Sequence, residues 1–107
     1  MPRSNCLGGD PEYAYTYSMY ILETRNGVDA KDSDWRVRDR FVHHNLGAAV
    51  DSLYSGLVYA IDLLTEGREG PERNVIVNPD KDGTRFLLIP PHDPSHAMVV
   101  FLTEKKG

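Results

Sequence analysis

The arrangement of hydrophobic and polar positions predicts one long helix in the middle of the chain. Between Asn45 and Gly67, apolar side chains recur at spacings of three and four, which is the pattern of an amphipathic helix. Asn45 is suited to cap the first turn, and Gly67 to adopt the left-handed conformation after the last turn. The residues expected on the buried stripe are Leu46, Val50, Leu53, Leu57, Ala60 or Ile61, and Leu64.

Shorter apolar runs on both sides of this helix predict strands. Residues 13–24 alternate in the manner of a strand and are rich in aromatic and β-branched side chains. Further runs lie within residues 74–78, 84–89 and 97–103. The stretch PDKDG between the first two runs predicts a tight hairpin in which Gly83 has a positive φ.

Residues 35–42, WRVRDRFV, fit two different structures. As a strand they place Arg36, Arg38 and Arg40 on one face and the apolar side chains on the other. As a helix they would continue directly into the following helical segment. We favour the strand.

Together these elements predict an α+β domain in the order β-β-α-β-β-β. We expect an antiparallel sheet of about four to five strands with one long amphipathic helix packed on one face. Residues 1–12 are rich in glycine, proline and polar side chains, so we expect a flexible N-terminal arm. Residues 13–107 then form the single domain, which is large enough for one modest core.

Charge and cysteine content narrow the classes of function. The chain has 12 basic and 16 acidic residues and a formal net charge of −4, which argues against general coating of nucleic acid. Cys6 is the only cysteine, so an intramolecular disulfide and a cysteine-based zinc site are excluded, and a reducing compartment is favoured. No stretch has the length and apolarity of a signal peptide or a membrane span. We therefore expect a cytoplasmic protein that does not bind membranes.

The arginine stripe and a row of tyrosines are the candidate partner-binding residues. Guanidinium groups at alternate strand positions suit neighbouring phosphates or carboxylates, although we favour a solvated face whose charges form local ion pairs. Tyrosines at alternate positions form one aromatic row, which belongs either to the core or to a docking surface if its strand lies at the sheet edge. The residues are Arg36, Arg38, Arg40, Tyr13, Tyr15 and Tyr17.

The four histidines are candidates for a polar site. His43 and His44 precede the helix, where its dipole favours a neutral imidazole, and His92 and His96 flank a proline-bearing loop. Zinc needs at least a third protein ligand that this loop does not supply. The stretch NPDKDG resembles the first half of a calcium loop, but Ile89 stands where a bidentate glutamate is required. We therefore predict no metal and no cofactor.

The sequence favours a binding module over an enzyme. It contains no nucleophile elbow, phosphate-binding loop or dinucleotide fingerprint. The leading prediction is a small acidic module that occupies the surface of a partner protein, as inhibitors, immunity proteins and regulators do. A module for phosphate ligands or nucleic acid that uses the arginine stripe is the alternative, and a small hydrolase or metal enzyme built on the histidines ranks third. A further hypothesis is that the chain forms a homodimer through an edge strand of its sheet.

Overall fold

Five strands and one helix follow the predicted order along the chain. The computed structural model describes residues 15–66 and 68–106, so the predicted arm over residues 1–12 lies outside the described residues. The strands are β1 (Tyr15–Thr24), β2 (Arg36–His43), β3 (Ile76–Pro79), β4 (Arg85–Ile89) and β5 (Ala97–Lys106), and the helix α1 spans Leu46–Thr65.

The strands form one antiparallel sheet in the order β2-β1-β5-β4-β3. This confirms the predicted α+β fold, and it confirms the strand over most of residues 35–42. The tyrosine-bearing β1 lies inside the sheet, with β2 and β5 paired to its two sides. The sheet edges are β2 and β3, so the backbone of β1 is not available to a partner strand.

The helix begins where the sequence predicts and ends at Thr65, one residue earlier than predicted. The side chain of Asn45 accepts a hydrogen bond from the backbone N–H of Ala48 at 3.0 Å, which satisfies a donor of the first turn. At the other end, Glu66 has the left-handed conformation, with φ of 52°. Gly67 itself lies outside the described residues.

The buried stripe of α1 is centred on small residues that the apolar pattern does not highlight. Leu46, expected on the stripe, is 53% exposed, and Leu57 is only partly buried against the core. Gly56 packs so closely that a Cβ atom there would lie 3.0 Å from Met19 Cε and 3.3 Å from Val100 Cγ1. At Gly56 the helix therefore lies close to the sheet. The buried helix residues are Ala49, Leu53, Gly56, Ala60, Leu64 and Thr65.

The core lies between α1 and one face of the sheet. Met19 and Ile21 of β1, with Met98 and Val100 of β5, pack against the helix and are almost completely buried. Since strand side chains alternate between faces, these residues identify the helix-facing side of each strand. We call the opposite side of the sheet the outer face.

A β-bulge interrupts the pairing of β1 with β2. Asp39 is opposite Ile21 and Val37 is opposite Leu22, so Arg38 is an extra residue between the two pairs. A bulge of this kind turns two consecutive side chains to the same face of the sheet. Before Arg38, the even-numbered residue Arg36 is on the helix-facing side. After Arg38, the even-numbered residues Arg40 and Val42 are on the outer face.

The β3–β4 hairpin closes as predicted, with Gly83 at φ of 70°. The Asp80 carboxylate accepts hydrogen bonds from the backbone N–H groups of Thr84 at 3.0 Å and Arg85 at 3.2 Å. The acidic stretch that resembles half a calcium loop therefore uses its first aspartate to cap a turn.

Candidate functional site

The described strand carboxylates all lie on one face of the sheet. The strand carboxylates Glu23, Asp39 and Glu104 all share the face of Met19 and Val100, which is covered by α1. The strand residues of the outer face include cations but no carboxylate, in a chain with a net charge of −4. The outer-face cations are Arg40, Arg85 and Lys105.

Four residues of the outer face form one continuous stack across four strands. Tyr20 pairs with Arg40 on one side and with Phe101 on the other, and Phe101 pairs with Arg85. The two rings are stacked, with centroids 5.1 Å apart and planes 13° apart. The Arg40 guanidinium lies 5.4 Å from the Tyr20 centroid, and that of Arg85 lies 5.1 Å from the Phe101 centroid. We call these four residues the Arg–aromatic row.

The Arg–aromatic row holds two guanidinium groups in place before any partner binds. Cation–π contacts of this kind contribute about 0.5–1 kcal/mol each at exposed sites. A guanidinium resting on a ring keeps its N–H groups available for a carboxylate. Three strand spacings separate the two ends of the row, so the guanidinium groups stand roughly 14 Å apart.

Apolar side chains surround this row. Val37, Val42 and Ile76, near the two sheet edges, are 59%, 46% and 49% exposed, whereas Ala97 and Val99 at the centre are buried. Leu22 and Leu87 are half-buried. An apolar surface bordered by arginines has the composition typical of the centre of a protein–protein interface.

The three arginines predicted to share one face are divided by the bulge. Arg40 belongs to the outer face, but Arg36 is opposite Glu23 on the helix-facing side. Arg38, the extra residue, bonds to Glu23 at 3.0 Å and also approaches the Tyr59 hydroxyl of α1. The predicted face was wrong because strict alternation does not hold across a bulge. Whether any of these arginines binds a partner stays a prediction.

The tyrosine row lies on the helix-facing side of β1. Tyr13 is outside the described residues, Tyr15 is 36% exposed and Tyr17 is 9% exposed. The rings of Tyr15 and Tyr17 are 6.4 Å apart. Because Tyr17 is buried, Tyr15 is the member of the described pair that a partner can reach.

The histidines lie at opposite ends of the sheet. His43 is opposite Tyr17, near the start of β1, while His96 contacts Glu23, near its end. Six residues of strand separate these positions by roughly 20 Å. His44 and His92 are exposed, and the Nε2 atom of His43 is buried with no hydrogen-bond partner among the described residues. The structure therefore brings the four rings to two places and not to one site.

His96 and Arg38 converge on Glu23. The imidazole Nε2 of His96, a side chain that is 7% exposed, lies 2.6 Å from one carboxylate oxygen, and Arg38 bonds to the other. Partial burial raises the pKa of Glu23, but the hydrogen bonds from His96 and Arg38 outweigh it and hold this pKa below its usual value. The cluster connects the β4–β5 loop to β1 and to the bulge of β2.

A second concave region lies on the other side of the sheet, between α1 and strands β1 and β2. This cleft has a volume of about 320 Å³ and an apolar floor that includes Met19 and Ile21. Asp39 and Phe41 line it from β2, and Tyr59 lines it from the helix.

Within residues 15–66 and 68–106, no group of three or more metal-ligating side chains comes together. Over the same part of the chain, no helix is both long and apolar enough to cross a bilayer.

Sequence reasoning missed Tyr20, Phe101 and Arg85, three of the four members of the Arg–aromatic row. An outward-facing aromatic residue on each of two strands was the available signal, but their contact depends on the register between residues far apart in the sequence.

Comparison of the chain with protein-family models, curated proteins and solved structures finds no match.

Proposed function

We propose that this protein is a small cytoplasmic binding module that occupies an acidic surface of a partner protein through its outer face. It would act as an inhibitor, immunity protein or regulator, without chemistry of its own. The observation that carries this proposal is that the described strand residues of the outer face include cations but no carboxylate. On the outer face, the strands present exposed apolar side chains together with Arg40, Arg85 and Lys105. The carboxylates of the same strands lie on the helix-facing side.

The spacing of the Arg–aromatic row specifies the partner surface. Two carboxylate groups roughly 14 Å apart, on either side of an apolar strip, would meet both guanidinium groups at once. Because each guanidinium already rests on a ring, less side-chain freedom is lost on binding than for an unsupported arginine. Arginine is also among the residues that most often dominate interface energies. A second copy of the chain presents the same cations, so like-charge repulsion disfavours self-association through this face.

Nucleic acid fits the outer face less well. Proteins that bind single strands stack bases on exposed ring faces. In the Arg–aromatic row, one face of each ring is covered by the other ring and the second by a guanidinium. The alternative function, phosphate recognition, assumed that Arg36, Arg38 and Arg40 share one face. Of these three arginines, only Arg40 lies on the outer face.

The test is affinity capture from the native host, followed by direct binding measurements with the purified partner. The probe variant is Arg40→Glu with Arg85→Glu. The control is Arg36→Glu with Lys106→Glu, which changes the net charge equally but on the helix-facing side. We expect the probe to weaken binding by more than about 100-fold, and the control by less than about threefold. Circular dichroism checks that both variants fold.

Two outcomes would contradict the proposal. In the first, the captured protein binds the probe and the control equally well. In the second, the wild-type protein binds single-stranded oligonucleotides with micromolar affinity at about 150 mM salt and the probe variant does not, which would favour the nucleic-acid alternative.

A further inference from the structure

The cleft between α1 and β2 exists because the helix presents small side chains there. Its helix wall contains Ser52, Ser55 and Gly56, and α1 packs mainly over β5 and β1, so it leaves β2 partly uncovered. The volume of about 320 Å³ lies at the lower end of the range for small-molecule sites. Met19 and Ile21 make the floor apolar.

Among the side chains that line this cleft, the carboxylate of Asp39 carries the charge. Asp39 is half-buried in the cleft wall, and within the described residues its carboxylate has no hydrogen-bond or ion-pair partner. The neighbouring Arg38 forms no ion pair with Asp39, since that guanidinium bonds to Glu23 and approaches the Tyr59 hydroxyl at the cleft wall. A partly desolvated carboxylate without a partner gains stabilisation from any donor that enters the cleft.

Two aromatic side chains complete the lining. Phe41 stands on the strand wall and Tyr59 on the helix wall, and they are 49% and 43% exposed. Ring faces attract organic cations, and a carboxylate beside them adds a charge-assisted hydrogen bond. Anions would be repelled by Asp39, and a purely apolar ligand would leave its carboxylate desolvated.

We propose that this cleft binds a small organic cation, an ammonium group on an apolar body. The ammonium donates to the Asp39 carboxylate, and the apolar body packs against the exposed side chains of Phe41 and Tyr59, above the buried Met19 and Ile21. The cleft and the outer face are on opposite sides of the sheet, so this site is independent of the proposed protein-binding function.

The experiment compares matched ligands on the full chain. Cyclohexylmethylamine is the cationic probe, cyclohexylmethanol is its neutral counterpart, and cyclohexanecarboxylate is its anionic counterpart. Amide chemical shifts in ¹H–¹⁵N spectra locate binding and give each Kd. We expect millimolar binding of the amine, roughly 10-fold tighter than of the alcohol, and no binding of the carboxylate. The largest shifts should fall on Ser52, Ser55 and Gly56.

Two variants separate recognition by charge from general stickiness. Asp39→Asn should reduce amine binding to the level of the alcohol, while Asp51→Asn, the same change on an exposed helix position, should have no effect. Ser55→Trp, which fills the cleft from an exposed helix position, should remove binding of both ligands. Equal affinities for amine and alcohol, an undiminished amine affinity in Asp39→Asn, shifts located elsewhere, or no amine binding at millimolar concentration would each overturn the proposal.

Discussion

Gly56 is the position at which the packing of α1 on the sheet is most directly testable. Replacing a glycine inside a helix with alanine normally stabilises the protein by about 1 kcal/mol, because alanine has the higher helix propensity. At Gly56 the added Cβ would lie 3.0 Å from Met19 Cε, and 3.3 Å from Met19 Sδ and Val100 Cγ1. Packing and propensity therefore act in opposite directions.

The packing cost should be the larger of the two. Forcing an extra methyl group into a filled core typically costs about 1–3 kcal/mol. Met19 is flexible and borders the cleft, but it is only 2% exposed and Val100 is completely buried, so both must move out of packed positions to admit the new methyl group. We expect Gly56→Ala to lower the free energy of unfolding by about 1 kcal/mol, despite the gain in helix propensity.

Urea unfolding followed by circular dichroism measures this effect. Ser55→Ala, at the exposed neighbouring position, is the control and should be neutral or slightly stabilising. In a Met19→Val background, which lacks the Sδ and Cε atoms, most of the penalty of Gly56→Ala should disappear. A stabilising Gly56→Ala, with no energetic coupling to position 19, would show that the helix does not approach the sheet this closely.

Four other perturbations follow from the structure. Leu53 is 3% exposed, so Leu53→Ala should lower the free energy of unfolding by about 2–4 kcal/mol in urea titrations. Tyr54 is 60% exposed, so Tyr54→Ala should lower it by under about 0.5 kcal/mol in the same assay. Asn45→Ala removes the helix cap and should cost about 1 kcal/mol, with Asn45→Asp as the conservative control. Because the pKa of Glu23 is lowered on folding, its contribution is complete above its ordinary value of 4.5 and is lost as the pH falls through the lowered value. The stability difference between wild type and Glu23→Gln should therefore shrink in acid, and a pH-independent difference would contradict this. Finally, we expect no thermal stabilisation by zinc or calcium in a melting assay, and elemental analysis showing one metal ion per chain would contradict that expectation.

Local patterns in the sequence were sufficient to predict the elements of this fold. The three- and four-residue spacing identified α1, Asn45 identified its start, and Gly83 identified the β3–β4 hairpin. These features depend on neighbouring residues only. The centre of the buried stripe was predicted less accurately, because Gly56 carries no apolar signal although it is buried against the sheet.

The candidate sites depend on relations that the sequence pattern does not contain. The Arg–aromatic row requires the register of four strands, and residues 20 and 101 meet only because β1 pairs with β5. The bulge at Arg38 leaves no mark in the alternation of β2. The cleft results from the position of a helix over a sheet, which no local motif determines.

The bulge also affects how related sequences should be compared with this one. If β2 were straight through Arg38, Arg36 and Arg38 would join Arg40 on the outer face, and Val37 would turn towards the helix. In the observed strand Arg38 is in effect an inserted residue, stabilised by its bond to Glu23. In a homologue that lacks a residue at position 38, all the remaining residues of β2 would stay on the faces that they occupy here. Such a homologue should align with a one-residue gap at position 38, and an ungapped alignment would assign the preceding residues to the wrong side of the sheet.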